Sequence, residues 1–255
     1  MSKTDSPRVS VSVVSHGQGA LVEHLLRDLA AHVKTPFELI LTRNLPEALP
    51  FDPSAFGFPI RVIDNPAPRG FGANHNRAFR ESHGSAFCLL NPDIRIERDP
   101  FPELLACLRD PAVAIAAPLI RNPAGEIEDS ARRFPTPLSI LRKAWRGTLD
   151  VDYSIGSKPI HPDWVAGMFM LFPRDAFASL RGFDERYFLY YEDVDLCARI
   201  RLAGKRVVLC PAAVAIHDAR RESQRSFRYA RWHLASMARY FLLWATRLAW
   251  GRSAN

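Results

Sequence analysis

A chain of 255 residues in which 47% are hydrophobic can close a sizeable core, so it is neither a disordered tail nor a fibrous protein. Its formal net charge of +7, from 34 basic and 27 acidic side chains, suits a polyanionic partner: nucleic acid, anionic lipid or a diphosphate. The cysteines Cys88, Cys107, Cys197 and Cys210 stand singly, without the close pairing a zinc site or redox motif requires, and read as reduced residues.

The polar stretch Met1 to Arg8 lacks the basic-then-apolar layout of a signal peptide, so a cytoplasmic protein is expected. Val9 to Val14 reads as a buried strand, after which Leu21, Val22, Leu25, Leu26, Leu29 and Val33 recur at helical spacing. Phe37 to Thr42, Ile60 to Ile63 and Ala86 to Leu90 are further strands, the last two separated by a helix over 72–82. Asp99 and Pro100 open a helix through Leu108, and Val113 to Ala117 is again a strand. This alternation predicts an α/β fold with a mixed, mostly parallel central sheet flanked by helices.

From Arg121 to Pro162 the periodicity gives way to Pro, Gly, Ser and charge, predicting a long irregular excursion with one helix near Ser139 to Trp145. Regular structure returns at Trp164 to Phe172. Helices follow over 174–180 and from Glu192 to Ala203, the second stopped by Gly204 ahead of a last strand at Val207 to Leu209. Ser226 to Trp250 reads as one amphipathic basic helix. Arg220, Arg221, Arg225, Arg228, Arg231, Arg239, Arg247 and Arg252 concentrate the positive charge there, against Glu222 as the sole acid. Residues 1–219 are expected to form the main domain and 220–255 a C-terminal helical extension. The longest apolar run, Tyr240 to Trp250, is interrupted by Arg247 and falls short of the roughly 20 residues that span a bilayer.

Four segments carry residues with chemistry. Asn65-Pro-Ala-Pro-Arg69-Gly70-Phe-Gly-Ala-Asn74-His-Asn76 is a glycine-containing turn from strand to helix. It can place backbone N–H groups against phosphate, or it can be a plain connection, and it is not the dinucleotide fingerprint. Asn91-Pro-Asp93 puts an acid at the C-terminal edge of a buried strand, where open α/β sheets bind ligands; the same triplet also makes a turn. A divalent cation bridging a diphosphate needs only one or two such carboxylates. The stretch from Gly182-Phe-Asp-Glu to Tyr191-Glu192-Asp193-Val-Asp195 gathers aromatics and acids at a helix start, more than the helix dipole calls for. His217 follows the last strand and His16 the first, and each fits a ligand or a packed histidine.

In this order, and with Trp164-Val-Ala-Gly167-Met-Phe-Met between them, these segments resemble the family 2 glycosyltransferases of GT-A fold, particularly the rhamnosyltransferase-like branch of polysaccharide assembly. The resemblance runs from Val9 to Ser226. It implies a nucleotide-diphosphate sugar bound by the N-terminal half, with base and ribose near Ser15, His16 and Asn44. The diphosphate would be reached by Arg69, Gly70 and Asn76, with Asn65 and Asn91 beside it. Asn91-Pro-Asp93 takes the place of the family's Asp-x-Asp motif, so Asp93 and His217 would hold Mg²⁺ or Mn²⁺. Asp193 would be the base, with Glu192 and Asp195 orienting it, and Trp164, Gly167 and Asp195 would lie on the acceptor side.

One base and one displacement imply inversion at the sugar's anomeric carbon. The implied reaction moves L-rhamnose from dTDP-rhamnose to a glycan or polyprenyl-linked acceptor. The basic C-terminal helix would either rest on the inner face of the plasma membrane or pack on the main domain. Three departures from the family pattern stand out: Asn91 replaces the first Asp, Gly17 stands where Asn is usual, and Thr42-Arg-Asn44 lacks the usual acid. A sugar-phosphate nucleotidyltransferase would want a basic loop after the first strand, which Ser15-His-Gly-Gln-Gly-Ala does not offer. An inactive nucleotide-sugar-binding protein would not be expected to retain Asp93, Asp193 and His217 together, and no nucleic-acid motif is present.

Overall fold

The computed structural model describes residues 8–146, 152–218 and 227–251. Strand β1 (Val9–Ser15) alternates valine and serine. Val9, Val11 and Val13 enter a core with Val22, Leu25, Leu26 and Leu29 of helix α1 (Gly19–His32). The serines face the other side, where Ser12 Oγ lies 2.8 Å from Nδ1 of the buried His75. His75 belongs to α2 (Phe71–Arg80), so the two residue types of one strand seat helices on both faces of the sheet.

Strands β2 (Phe37–Arg43), β3 (Ile60–Asp64) and β4 (Ala86–Leu90) complete a parallel half in the order β3-β2-β1-β4. The order reverses between β1 and β4, and crevices for ligands form at such a reversal, beyond the C-terminal strand ends. Ser15 closes β1 and Asn91 follows β4, so both stand at that edge.

The second half adds β5 (Ile94–Arg95), α3 (Phe101–Cys107), β6 (Val113–Arg121), β7 (Ala131–Arg132), α4 (Pro137–Arg146), β8 (Trp164–Val165) and β9 (Phe169–Pro173). Helices α5 (Arg174–Ser179) and α6 (Glu192–Leu202), strand β10 (Arg206–His217) and α7 (Phe227–Gly251) follow. The sheet reads β3-β2-β1-β4-β9-β6-β10-β5, with β9 antiparallel to both its neighbours and β7-β8 a separate pair. All four cysteines are thiols. Among the described residues no helix is long and apolar enough to cross a membrane.

Several boundaries differ from expectation for identifiable reasons. The run from Trp164 to Phe172 is two strands, because residues 166–168 turn away between β8 and β9 to meet α6. The last strand extends to His217 because a register shift between Cys210 and Val214 absorbs Pro211, which has no N–H to give a ladder. The excursion from Arg121 contains β7 and α4. The expected boundary at 219/220 and the helix start at Ser226 lie outside the described residues. Tyr240 and Trp244 of α7 share a core cluster with Tyr187 and with Val194 and Ala198 of α6, so α7 packs on the main domain.

The segment 180–191, between α5 and α6, lies directly on α2. A Cβ at Gly72 would sit 2.6 Å from Phe183 Cβ, and one at Gly70 would sit 2.8 Å from the Phe188 carbonyl oxygen. Asn76 completes the seam: its Oδ1 accepts from Phe183 N at 2.9 Å and its Nδ2 donates to Phe183 O at 2.9 Å. Gly182 has φ +64°, and a Cβ there would meet Asn76 Oδ1 at 2.2 Å. Gly182→Ala is therefore expected to lower unfolding free energy by about 3 kcal/mol, combining left-handed strain with loss of the asparagine bonds. Gly125→Ala, also at positive φ but in open space, should cost only about 1 kcal/mol; urea unfolding of both variants measures the difference.

Candidate active site

A cleft of about 970 Å³ opens at the C-terminal edge of the second half of the sheet. Asn91, Trp164, Gly167, Glu192, Asp193 and His217, widely separated in sequence, all line it. Pairing explains their convergence. Asn91 N donates to Met168 O at 2.9 Å, which sets the turn after β8 beside the end of β4. Gly167 N then donates to Asp193 Oδ2 at 3.0 Å, and Val194 N donates to Asp193 Oδ1 at 2.8 Å. A Cβ at Gly167 would meet Asp193 at an ordinary 3.4 Å, so Gly167 acts here through its N–H.

Asp193 and Glu192 open α6 after two consecutive left-handed residues, Tyr190 (φ 68°) and Tyr191 (φ 65°). Left-handed backbone costs about 1–2 kcal/mol at each such residue. The surroundings hold it in place: Ser236 of α7 donates Oγ–H to Leu189 O at 2.8 Å, and Tyr191 packs against Tyr240 with ring centroids 5.5 Å apart. Burial pushes both carboxyls upward, Glu192 well above its ordinary value. Asp193 is partly compensated by backbone N–H groups and by the Arg132 charge, whereas Glu192 Oε2 is buried without a partner. Of the adjacent pair, Glu192 is pushed further towards its protonated form, while the N–H groups of Gly167 and Val194 favour the anion of Asp193 at the cleft wall.

Asp93 and His217 meet through the antiparallel pairing of β5 with β10, which sets His217 opposite Ile94. His217 Nε2 lies 3.3 Å from Asp93 Oδ2, and Nδ1 lies 2.8 Å from Glu128 Oε2. Burial disfavours the imidazolium, but hydrogen bonds to Asp93 and Glu128 outweigh it and bring the pKa to about 9. Among the described residues no group of three His, Cys, Asp or Glu side chains could hold a metal alone. The pair nevertheless fits a cation shared with a diphosphate. Asp93 Oδ1 is buried without a partner, and a carboxylate on Nδ1 is the arrangement that orients a metal-ligating histidine.

The expected nucleotide residues are arranged differently. Asn44 Oδ1 accepts from Asn65 Nδ2 and from Arg69 N, both at 2.8 Å, and Asn44 Nδ2 donates to Arg69 O at 3.0 Å. Asn65 Nδ2 also donates to Asn74 Oδ1 at 2.6 Å. Asn44, Asn65 and Asn76 thus hold loops rather than presenting amides to a ligand, because buried amides bond to the nearest backbone. Gly70 serves close packing against Phe188. Ser15 Oγ accepts from Gln18 N at 3.1 Å, while His16 and Arg69 stand exposed at the same edge.

Asp195 is also relocated: it is not on the cleft but buried, its Oδ2 accepting from Arg199 Nε at 2.8 Å. Arg199 in turn donates to Leu180 O and Gly182 O, so Asp195 anchors the turn that precedes Asp193.

Trp164, by contrast, lines the cleft half-buried, its Nε1 donating to Arg133 O at 2.9 Å and its ring 5.5 Å from the Arg132 guanidinium carbon. The excursion supplies residues that sequence reading passed over: Glu128, Arg132, Arg133 and Arg142. The one available signal for Glu128 was the acid pair Glu128-Asp129 inside an aperiodic stretch.

No protein-family model matches the chain. The rhamnosyltransferase WbbL of Escherichia coli (strain K12) is 32% identical over 248 residues, covering 91% of this chain and 92% of that protein. The N-acetylglucosaminyl-diphospho-decaprenol L-rhamnosyltransferase of Mycobacterium tuberculosis is 30% identical over 236 residues, covering 81% and 75%. Among solved structures, the mannosyltransferase PcManGT of Pyrobaculum calidifontis, in complex with GDP-Man and Mn²⁺, superposes with a TM-score of 0.61 at 19% identity. That match covers 89% of this chain and 61% of the mannosyltransferase, less than two thirds of its length. The fold is GT-A. The chain belongs to the rhamnosyltransferase-like branch of the family 2 glycosyltransferases and is a glycosyltransferase.

Proposed function

We propose that the enzyme transfers L-rhamnose from dTDP-rhamnose, with inversion, to a glycan or polyprenyl-linked saccharide at the inner face of the plasma membrane. The observation that carries the reading is the Asp193 carboxylate, fixed by the N–H groups of Gly167 and Val194 in the same cleft as His217, the partner of Asp93. Both relatives are rhamnosyltransferases by name, and one is named for a diphospho-decaprenol acceptor.

In this scheme the ionised Asp193 accepts the proton of the acceptor hydroxyl. The hydroxyl oxygen bonds to the anomeric carbon from the face opposite the diphosphate, and the bond from that carbon to the phosphate oxygen breaks. An alcohol of high pKa needs such a base within hydrogen-bond reach, and a carboxylate pushed upward by burial is a stronger base than a solvated one. Glu192, holding its proton, keeps a second negative charge away from Asp193. Trp164 offers a ring face on which a sugar can stack, and Arg132, paired with Asp129 at 2.9 Å, lies 5.5 Å from the centre of that ring. Asp93 and His217 would hold Mg²⁺ or Mn²⁺, whose chemistry is to neutralise charge on the departing nucleotide.

Calorimetric titration with dTDP, UDP and GDP, each with and without Mn²⁺, tests the donor: metal-dependent binding of dTDP is expected, and no binding of any nucleotide would remove the reading. Asp193→Asn should lower kcat by about 100-fold or more while leaving dTDP affinity within about twofold, as measured by turnover and calorimetry. Asp93→Ala should instead weaken dTDP binding in the presence of Mn²⁺ and leave metal-free binding unchanged. The acidic limb of the kcat/KM profile should lie above the ordinary carboxylate range, since burial raises Asp193, and rate should fall as pH drops through it.

A further inference from the structure

Helix α4 is well specified by its own sequence and yet its apolar face is uncovered. Thr136 and Ser139 form a reciprocal start to the helix, with Ser139 N donating to Thr136 Oγ1 at 3.0 Å and Thr136 N donating to Ser139 Oγ at 2.9 Å. Pro137 occupies its first position. Leu138, Leu141 and Trp145, spaced to share one face, are 57%, 67% and 88% exposed, and none of the α4 side chains among the described residues belongs to a core cluster. A ten-residue helix without a packed face is marginal in water, so its apolar face calls for a surface to bury against.

We propose that α4 lies in the plane of an anionic lipid surface, with Leu141 and Trp145 inserted among the acyl chains. Charge selects this occupant. The helix carries Arg142, Lys143 and Arg146 and no acid, a pattern that attracts an anionic headgroup layer and disfavours a second copy of the same helix. Its length and interrupting charges suit an interfacial rather than a spanning helix. Position gives the contact a use: Leu138, Ser139, Ile140 and Arg142 line the cleft that contains Asp193, so a membrane at α4 borders the acceptor entrance. The inference rests on the lipid-linked acceptor of the proposed function, and it moves the membrane contact from α7, whose Tyr240 and Trp244 are buried against the domain, to α4.

The test is sedimentation of the purified full chain with phosphatidylcholine vesicles, with and without phosphatidylglycerol, at low and high salt. The wild type should bind the phosphatidylglycerol vesicles, and more weakly as salt rises. Leu141→Glu/Trp145→Glu should reduce that binding about tenfold or more. Leu141→Ala/Trp145→Ala, which favours the helix while removing apolar area, should also reduce it, with circular dichroism and melting temperature unchanged in both variants. Equal binding by wild type and the alanine variant, or no binding by the wild type, overturns the proposal. So does a wild-type dimer in light scattering that the glutamate variant converts to monomer, since a second copy would then cover the face. Vesicle binding needs no nucleotide, so failure of dTDP titration would count against the transferase donor and not against this surface.

Discussion

The position of Asp193 depends on how closely the segment 180–191 approaches α2. Gly70 and Gly72 leave room where any side chain would collide with Phe188 or Phe183, and Asn76 pairs with the Phe183 backbone as a neighbouring strand would. That seam fixes the position from which Tyr190 and Tyr191 take their left-handed turn into α6. The strain of the turn is tolerated because the segment is clamped from two sides, by α2 beneath and by α7 above. A glycine far from the cleft along the chain is thereby part of what aims the carboxylate.

Two electrostatic pairs follow from this frame and are treated differently. At the start of α6, adjacent carboxyls share a dry environment that raises both, and unequal access to backbone N–H groups raises Glu192 further than Asp193. Across β5 and β10, a histidine is held between two carboxylates and carries a charge well into the alkaline range. In the proposed scheme the first pair supplies the base, and the second would take up a cation only as His217 gives up its proton.

Much of this was legible in the sequence because it is local. The Val/Ser alternation of β1, the breaker Gly204 and the acids opening α6 each declare their structure within a few residues. Two of the misses share one cause: the partner that decides a residue's role lies far away in sequence. Glu128 reaches His217 across 89 positions, and Asn76 reaches Phe183 across 107. The family resemblance implies Asn44 and Asn65 as nucleotide-side residues, and in the structure each bonds a backbone or amide partner. Asp195 stands beside Asp193 in the sequence, yet two positions on a helix point in different directions, and its side chain went to Arg199. Amphipathicity measures a face and not what lies opposite it, so it left both alternatives open for α7, whose Tyr240 and Trp244 are buried against the domain.

The clamp supplied by α7 has a consequence for the order in which this protein becomes an enzyme. Chains are made from the N-terminus, and domains form as their parts emerge. The sheet, α2 and the segment that lies on it all precede residue 227, whereas Ser236 and Tyr240, which brace Leu189 and Tyr191, come after every other described element. The nascent protein can therefore fold its sheet and gather Asp93 with His217 before the turn into Asp193 is braced. The cleft is completed last, by the helix that braces Leu189 and Tyr191 and itself adds His233 and Met237 to the lining.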